Sequence, residues 1–241
     1  MSHPRFDLSG QIAMVSGAAS GMGKQMALGF AEAGADVVLA DINLPGAEQT
    51  AGDIESLGRR ALAVHCNVSD IEQVRSLYKT IDAEFGRIDV VGNVAGEGLT
   101  GRPEELPVET LDEVIENLVV GRFTSCQEAG RRMLARGRGS INNCGSIGGW
   151  NSPGRGHAPY GIAMGAVIQM TRELSTEWAS RGVRVNAILP AQVWNDGLWK
   201  RIASTPGLEE TFTDGIPMGR LGNPEEIKRP RFSWRLTLRV S

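Results

Sequence analysis

Cysteine is scarce in this chain, with three among 241 residues. Cys66, Cys126 and Cys144 are odd in number, widely spaced and set among apolar neighbours. That pattern argues against a disulfide framework or a zinc site and for reduced, buried thiols in a reducing, cytosolic setting; no metal site is assigned. A long apolar run is missing as well. No stretch of about 18 apolar residues occurs, and the opening MSHPRFDLSG lacks a signal peptide's apolar core, so a soluble protein with no membrane partner is expected. An excess of charge of either sign is also absent. Lys and Arg number 25 against 28 Asp and Glu, which gives no general attraction to nucleic acid or an anionic membrane and leaves small molecules or other protein chains as partners.

What is present is a regular alternation. The hydrophobic content of 41% over this length suffices for one substantial core, and no repeat or low-complexity linker divides the chain. The runs QIAMVSG, DVVLAD, RALAVHC, IDVVGNVAG, GSINNCGS and VRVNAIL are short, β-branched and bounded by Gly or polar residues, which predicts strands buried on both faces. Helix-length segments lie between them, at Met22 to Ala33, Ala47 to Leu57, Ser69 to Phe85, Thr110 to Ala135 and Tyr160 to Ser180. The predicted fold class is α/β, a single-domain, doubly wound parallel sheet of Rossmann type.

The first strand runs into SGAASGMGKQMALGF, where Gly17, Gly21 and Gly23 are spaced G-x3-G-x-G. Glycine there lets the backbone turn tightly and approach a pyrophosphate, which meets the free N–H groups and positive dipole end of the next helix. A glycine triplet alone is weak, but Asp41 ends the second strand eighteen residues after Gly23, placed to accept bonds from the adenosine ribose hydroxyls. A carboxylate there repels a 2′-phosphate, and no Arg or Lys lies within the glycine loop, so NAD is expected over NADP.

From these residues onward the chain resembles the short-chain dehydrogenases/reductases. The resemblance spans residues 7–227 and rests on ordered motifs: SGAASGMG, NVAG at 93–96, GSINNCGS at 139–146, the tyrosine at 160, RVNAILPA at 184–191 and IPMGRLGNPEEI at 216–227. It implies a nicotinamide cofactor, hydride exchange between a secondary alcohol and a ketone, and a homo-oligomer, often a tetramer. It assigns Tyr160 as acid/base and Ser146 as the group that orients the substrate oxygen. It further assigns cofactor contacts to Gly17, Ser20, Gly21, Met22, Gly23, Asp41, Asn67, Val68, Asn93, Ala95, Gly96 and Pro190. In the family a lysine four residues after the tyrosine lowers the tyrosine pKa and holds the ribose, and an asparagine anchors a water relay.

Departures from the pattern are specific. Met164 stands where the lysine is expected, and methionine supplies neither charge nor donor to a phenol whose unperturbed pKa is about 10. Leu118 stands at the expected relay position with Asn117 one place early, an offset of about 100° on a helix that a local bulge could restore. Asn67 replaces an aspartate, Val94 an asparagine and Ala191 a glycine. The tail from Lys228 to Ser241 holds five basic residues and no acidic one, leaving 20 basic against 28 acidic in 1–227. Read two bases later from Arg231, compatible codons spell Phe-Leu-Leu-Ala-Ser-Asp-Ala-Ser-Gly-Phe, so the tail reads as a possible frameshifted end, with the last strand of the sheet lost or altered. The alternative is a genuine tail in which Leu236, Leu238 and Val240 alternate as an edge strand. Two functions stay open: an NAD(H)-dependent oxidoreductase of impaired turnover, or a catalytically inactive dinucleotide-binding or scaffold protein. His157 could relay a proton or be simply solvated. Trp150, Trp194 and Trp199 could shape the cleft or only pack, and RRMLARGRG at 131–139 reads as favourable charge at a helix C-terminus.

Overall fold

A computed structural model of the chain describes residues 7–152, 154 and 156–232. Six strands, β1 (Ile12–Ser16), β2 (Asp36–Asp41), β3 (Ala61–His65), β4 (Val90–Asn93), β5 (Gly139–Cys144) and β6 (Val183–Ile188), form one all-parallel sheet in the order β3-β2-β1-β4-β5-β6. All six expected strands are present. β1 is buried at every position because helices cover both faces, which is why its sequence is an apolar run rather than an alternation.

On one face α3 (Ile71–Phe85) and α5 (Gly121–Arg136) build a core from Tyr78, Ile81, Cys126 and Met133 with Met14 and Ile141 of the sheet. On the other, α1 (Gly21–Glu32) and α2 (Leu44–Ser56) contribute Met26, Phe30 and Ile54, packed with Val15 and Leu39. Side-chain caps set the helix starts: Asp70 accepts from the Glu72 and Gln73 N–H groups before α3, and Asn43 accepts from Gly46 in the first turn of α2.

Where the sequence predicts one helix over Thr110 to Ala135, the structure has α4 (Val108–Ile115), a π-helical turn over Glu116–Val120, and then α5. The wider turn answers two demands. Leu118 is driven into the apolar cluster of Val114, Ala163, Met164 and Val167, while a Cβ at Gly121 would stand 1.9 Å from the Val68 carbonyl oxygen, so α5 must begin with glycine against that backbone. The long helix α6 (Ala158–Trp178) completes the layer, and α7 (Asp196–Ser204) and α8 (Leu208–Thr213) carry a small satellite core of Leu198, Phe212 and Leu221.

All three cysteines are free and buried, as expected. Among the described residues no helix is long and apolar enough to cross a membrane. The segment Pro224–Phe232 turns as a 3-10 helix against α1, with Lys228 Nζ 3.0 Å from Glu32 Oε1. Residues 233–241, with the alternating Leu236, Leu238 and Val240, lie outside the described residues.

Candidate active site

Register brings the carboxyl ends of the central strands into one row. Ala40, Ser16, Asn93, Asn143 and Ala187 are mutual partners across β2, β1, β4, β5 and β6. The chain order reverses between β1 and β4, and that switch point is where an open parallel sheet forms its ligand crevice. Ser16 Oγ ties the two strands together there by accepting from the N–H groups of Val94 and Ala95 at 3.1 and 3.2 Å.

The glycine turn follows β1. Gly17 has φ +74°, and a Cβ at Gly23 would stand 1.9 Å from the Gly17 carbonyl oxygen, so α1 is pressed against its own entry loop. Ser20 is the N-cap of α1 but makes no side-chain cap bond, and Gly21 beside it faces open space. Above that helix end lies a cleft of about 360 Å³ bounded by Ser20, Gly21, Gln25, Trp194, Asn195 and Trp199. Met22 is half-buried against the α1 core. Asp41 closes the loop, its carboxylate accepting from Ala19 N–H and Asn43 N–H at 2.9 Å each. Exposed Ile42 follows it.

Ser146 and Tyr160 come together across the crevice. Gly149 sits so close to α6 that a Cβ there would lie 2.4 Å from the Met164 backbone carbon, and this contact holds the turn Ile147–Gly149 on the helix. Ser146, at the head of that turn, accepts from Gly148 N–H at 3.1 Å, and its hydroxyl and the Tyr160 ring flank Gly148. The loop at Gly98 crosses the Tyr160 ring. Burial pushes the Tyr160 pKa above the ordinary phenol value; the Ser146 hydroxyl opposes this, the Cys144 thiol adds to it, and the Arg122 charge opposes it. His157 is the N-cap of α6, its Nδ1 2.9 Å from the Gly154 carbonyl and its ring 6.5 Å from that of Tyr160.

Other expected residues fall in different settings. The Asn93 side chain is in the core, its Oδ1 accepting from Ser125 Oγ at 2.7 Å and its Nδ2 donating to Asn143 Oδ1 at 3.0 Å, so only its backbone borders the crevice. Asn67 is exposed, its Oδ1 accepting from Ser69 N–H, and the Val68 carbonyl abuts Gly121. Pro190 accepts from Ile147 N–H at 3.1 Å, which ties the end of β6 to the Ser146 turn. Gly96, at φ +130°, leaves no room for a Cβ beside Leu118 and Asn117. Asn117 itself accepts from Glu97 N–H at 3.0 Å and donates to Ser69 Oγ at 2.9 Å. Met164 is 2% exposed and packs with Leu118 and Tyr160 in one apolar cluster. Trp150 is 70% exposed, outside the cleft lining, with Arg172 stacked 5.5 Å from its ring centre.

The profile of the family described as Enoyl-(Acyl carrier protein) reductase matches residues 17–230. The 2-dehydro-3-deoxy-D-gluconate 5-dehydrogenase of Pseudoalteromonas atlantica is 34% identical over 232 residues, covering 94% of this chain and 89% of the relative. A crystal structure of a short-chain type dehydrogenase/reductase from Mycobacterium marinum superposes with a TM-score of 0.85 at 30% identity, over 95% of this chain and 89% of the other. The chain belongs to the short-chain dehydrogenase/reductase family. A 7α-hydroxysteroid dehydrogenase of the same fold, complexed with NADH and 7-oxo glycochenodeoxycholic acid, superposes with a TM-score of 0.90 at 28% identity, covering 97% and 91% of the two chains. Dehydrogenases of threitol, glycerol and galactitol are further relatives of this short-chain dehydrogenase/reductase, and among its solved neighbours one is complexed with NADH and two with NADP.

Proposed function

We propose that this chain is an NAD(H)-dependent oxidoreductase that interconverts a small polyol or sugar acid and its ketone, with Tyr160 as acid/base and Ser146 as the orienting group. The observation that carries this reading is that Ser146 and Tyr160 converge over Gly148 at the carboxyl edge of the sheet, the edge that also carries the glycine turn. The residues present fit a dinucleotide. Glycines 17 and 23 occupy positions a side chain would fill, the first turn of α1 is uncapped toward an open cleft, and Asp41, held on Ala19 N–H at the end of β2, would accept from the ribose hydroxyls.

A bound nicotinamide supplies the hydride acceptor for alcohol oxidation and the hydride donor for ketone reduction. Tyr160 takes the hydroxyl proton as the carbinol carbon gives up its hydride, and returns a proton to the oxygen in the reverse direction. Ser146 fixes that oxygen within reach of the phenol. Asp41 favours NAD because its carboxylate repels a 2′-phosphate, and Lys24, the nearest cation in sequence, is paired with Asp53 at 2.8 Å. The apolar packing of Met164 and Leu118 beside Tyr160 supports slow turnover, and it is the one observation that favours the second reading, a binding protein without turnover.

Titration of the protein's fluorescence with NADH and NADPH, followed by assay of oxidation on threitol, glycerol and gluconate, tests both readings. The expected result is tighter binding of NADH and measurable polyol oxidation that Tyr160→Phe abolishes. NADH binding with no turnover on any alcohol or ketone would support the second reading, and no binding of either nucleotide would defeat both.

A further inference from the structure

The other end of the sheet carries a second cavity. It measures about 560 Å³ and lies at the amino ends of β1, β4, β5 and β6, with Gly29 and Phe30 of α1 along one wall. The crevice of Ser146 and Tyr160 is at the carboxyl ends of the same strands, about 15 Å away for strands of four to six residues. The alcohol chemistry does not use this second cavity.

Its polar lining is basic. Arg87 ahead of β4, Arg138 ahead of β5 and Arg184 in β6 border it, against one carboxylate, that of Asp89. Asp89 is already engaged, accepting from Ile12 N–H at 2.9 Å and Arg87 Nε at 3.0 Å and pairing with Arg136. Arg138 is the part of the basic run 131–139 that the helix leaves over. α5 ends at Arg136, whose Nη1 donates to the Ile88 carbonyl at 2.8 Å, and Gly137 caps it at φ +68°. Arg138 therefore stands beyond the helix, exposed and with no carboxylate partner among the described residues.

A second observation is independent of that charge. Ser140 is 6% exposed and borders the cavity, and among the described residues its Oγ has no hydrogen-bond partner. Strand alternation sets its direction: Ile141 enters the core beneath α3 and α5, so Ser140 faces the α1 side, where the cavity lies. A buried hydroxyl without a partner is destabilising until a ligand supplies one.

We propose that this cavity is a binding site for a small organic phosphate, its phosphoryl group held by Arg138, Arg184 and the Ser140 hydroxyl. Guanidinium groups meet phosphate oxygens in bidentate geometry, and the hydroxyl adds a donor from the floor of the site. The volume is that of a small-molecule pocket and exceeds what a phosphoryl group alone fills, which leaves room for a carbon frame along Phe30 and Gly29. The chain's own residues 233–241 make a poor occupant, because Arg235 and Arg239 would bring like charge to these arginines. The site stands apart from the reading of Tyr160 and of the nicotinamide cofactor.

Phosphorus NMR of the full chain, titrated with inorganic phosphate and with glycerol 3-phosphate, tests the proposal. Both probes are expected to bind, the ester more tightly and with a Kd below about 1 mM. Arg138→Gln, a change at an exposed side chain, should weaken both by about tenfold, and Ser140→Ala by about fivefold. Ser140→Ala also gives a readout without ligand: it should melt at or above the wild-type temperature in phosphate-free buffer, whereas a serine that serves the fold would melt lower on truncation. Binding of neither probe at about 10 mM overturns the proposal. So does binding that both variants leave unchanged, which would put the phosphate elsewhere, such as the first turn of α1. A Ser140→Ala protein that melts below wild type overturns the role of that hydroxyl, and an ester no tighter than inorganic phosphate overturns the assignment of an organic ligand.

Discussion

At the scale of single residues the site turns on what surrounds one phenol. With Tyr160 as the proposed acid/base, alcohol oxidation needs the phenolate, so its rate should rise as pH climbs through the Tyr160 pKa, which burial sets high. An ammonium one helical turn later would favour the phenolate. Met164→Lys is therefore expected to move the rising limb of the pH profile for kcat/KM to lower pH and to raise the neutral-pH rate by at least about tenfold, one pKa unit being worth that factor. Steady-state kinetics across pH check this, and a limb that stays in place would show that position 164 does not govern Tyr160. Leu118 lies between Met164 and Gly96 and closes the space where a polar relay would run. Leu118→Asn alone buries an amide among apolar groups and should lower activity and stability. Combined with Met164→Lys it should exceed the single lysine variant, because residues acting as a unit are non-additive. A double variant no faster than Met164→Lys would mean that Asn117 already suffices from its place beside Ser69.

At the scale of elements, two contacts carry the positions of α5 and β1. Asp89, 7% exposed, accepts from Ile12 N–H at 2.9 Å and Arg87 Nε at 3.0 Å and pairs with Arg136, joining β1 to α5. Burial alone would raise its pKa, but these bonds outweigh burial and hold the carboxyl below its ordinary value. A depressed folded value gives stability that is full above the unfolded pKa of about 4 and is lost as pH falls through the folded one. Asp89→Asn is expected to cost about 2 kcal/mol at neutral pH, with the gap to wild type closing in acid. Thermal melts at a series of pH values check the sign. The second contact is Gly121 on the Val68 carbonyl. Gly121→Ala should destabilise by about 3 kcal/mol, since the obstacle is backbone that cannot swing aside. Urea denaturation reads it, and a neutral effect would show that the π turn yields.

For the whole molecule, ligand and fold are linked through the crevice. A dinucleotide that grips the glycine turn, Asp41 and the end of β4 binds the native state alone. NADH at a hundred times its Kd should add about 2.7 kcal/mol, a rise in Tm of about 5 to 10 °C for a chain of this size. NADPH at the same concentration should add less because of Asp41, and equal shifts would remove the cofactor preference. β3 and β6 flank the sheet as described, and an uncovered strand edge favours association with another copy. The assembly expected is a homo-oligomer, which light scattering on the purified chain measures.

The sequence by itself determined the strands, the direction of the sheet and the glycine turn. Each is a local matter, of apolar runs of strand length or of a glycine where backbone crowds backbone, as at Gly17 and Gly23. It also pointed to the partnership of Ser146 with Tyr160, through a resemblance whose motifs keep their order along the chain. Tertiary structure alone decided the rest. Asn93 reads as a crevice residue but spends its side chain on Ser125 and Asn143, which meet it only after β4, β5 and α5 pack. Asn117 and Leu118 are adjacent, and only the π turn shows which of them faces Met164. Arg122 left one trace in the sequence, a charge in register with the buried stripe of Cys126, Ala129 and Met133. Its partner, the Ala95 carbonyl, lies 27 positions away along the chain. A cation acts through distance in space, and that distance is set by packing rather than by spacing along the chain.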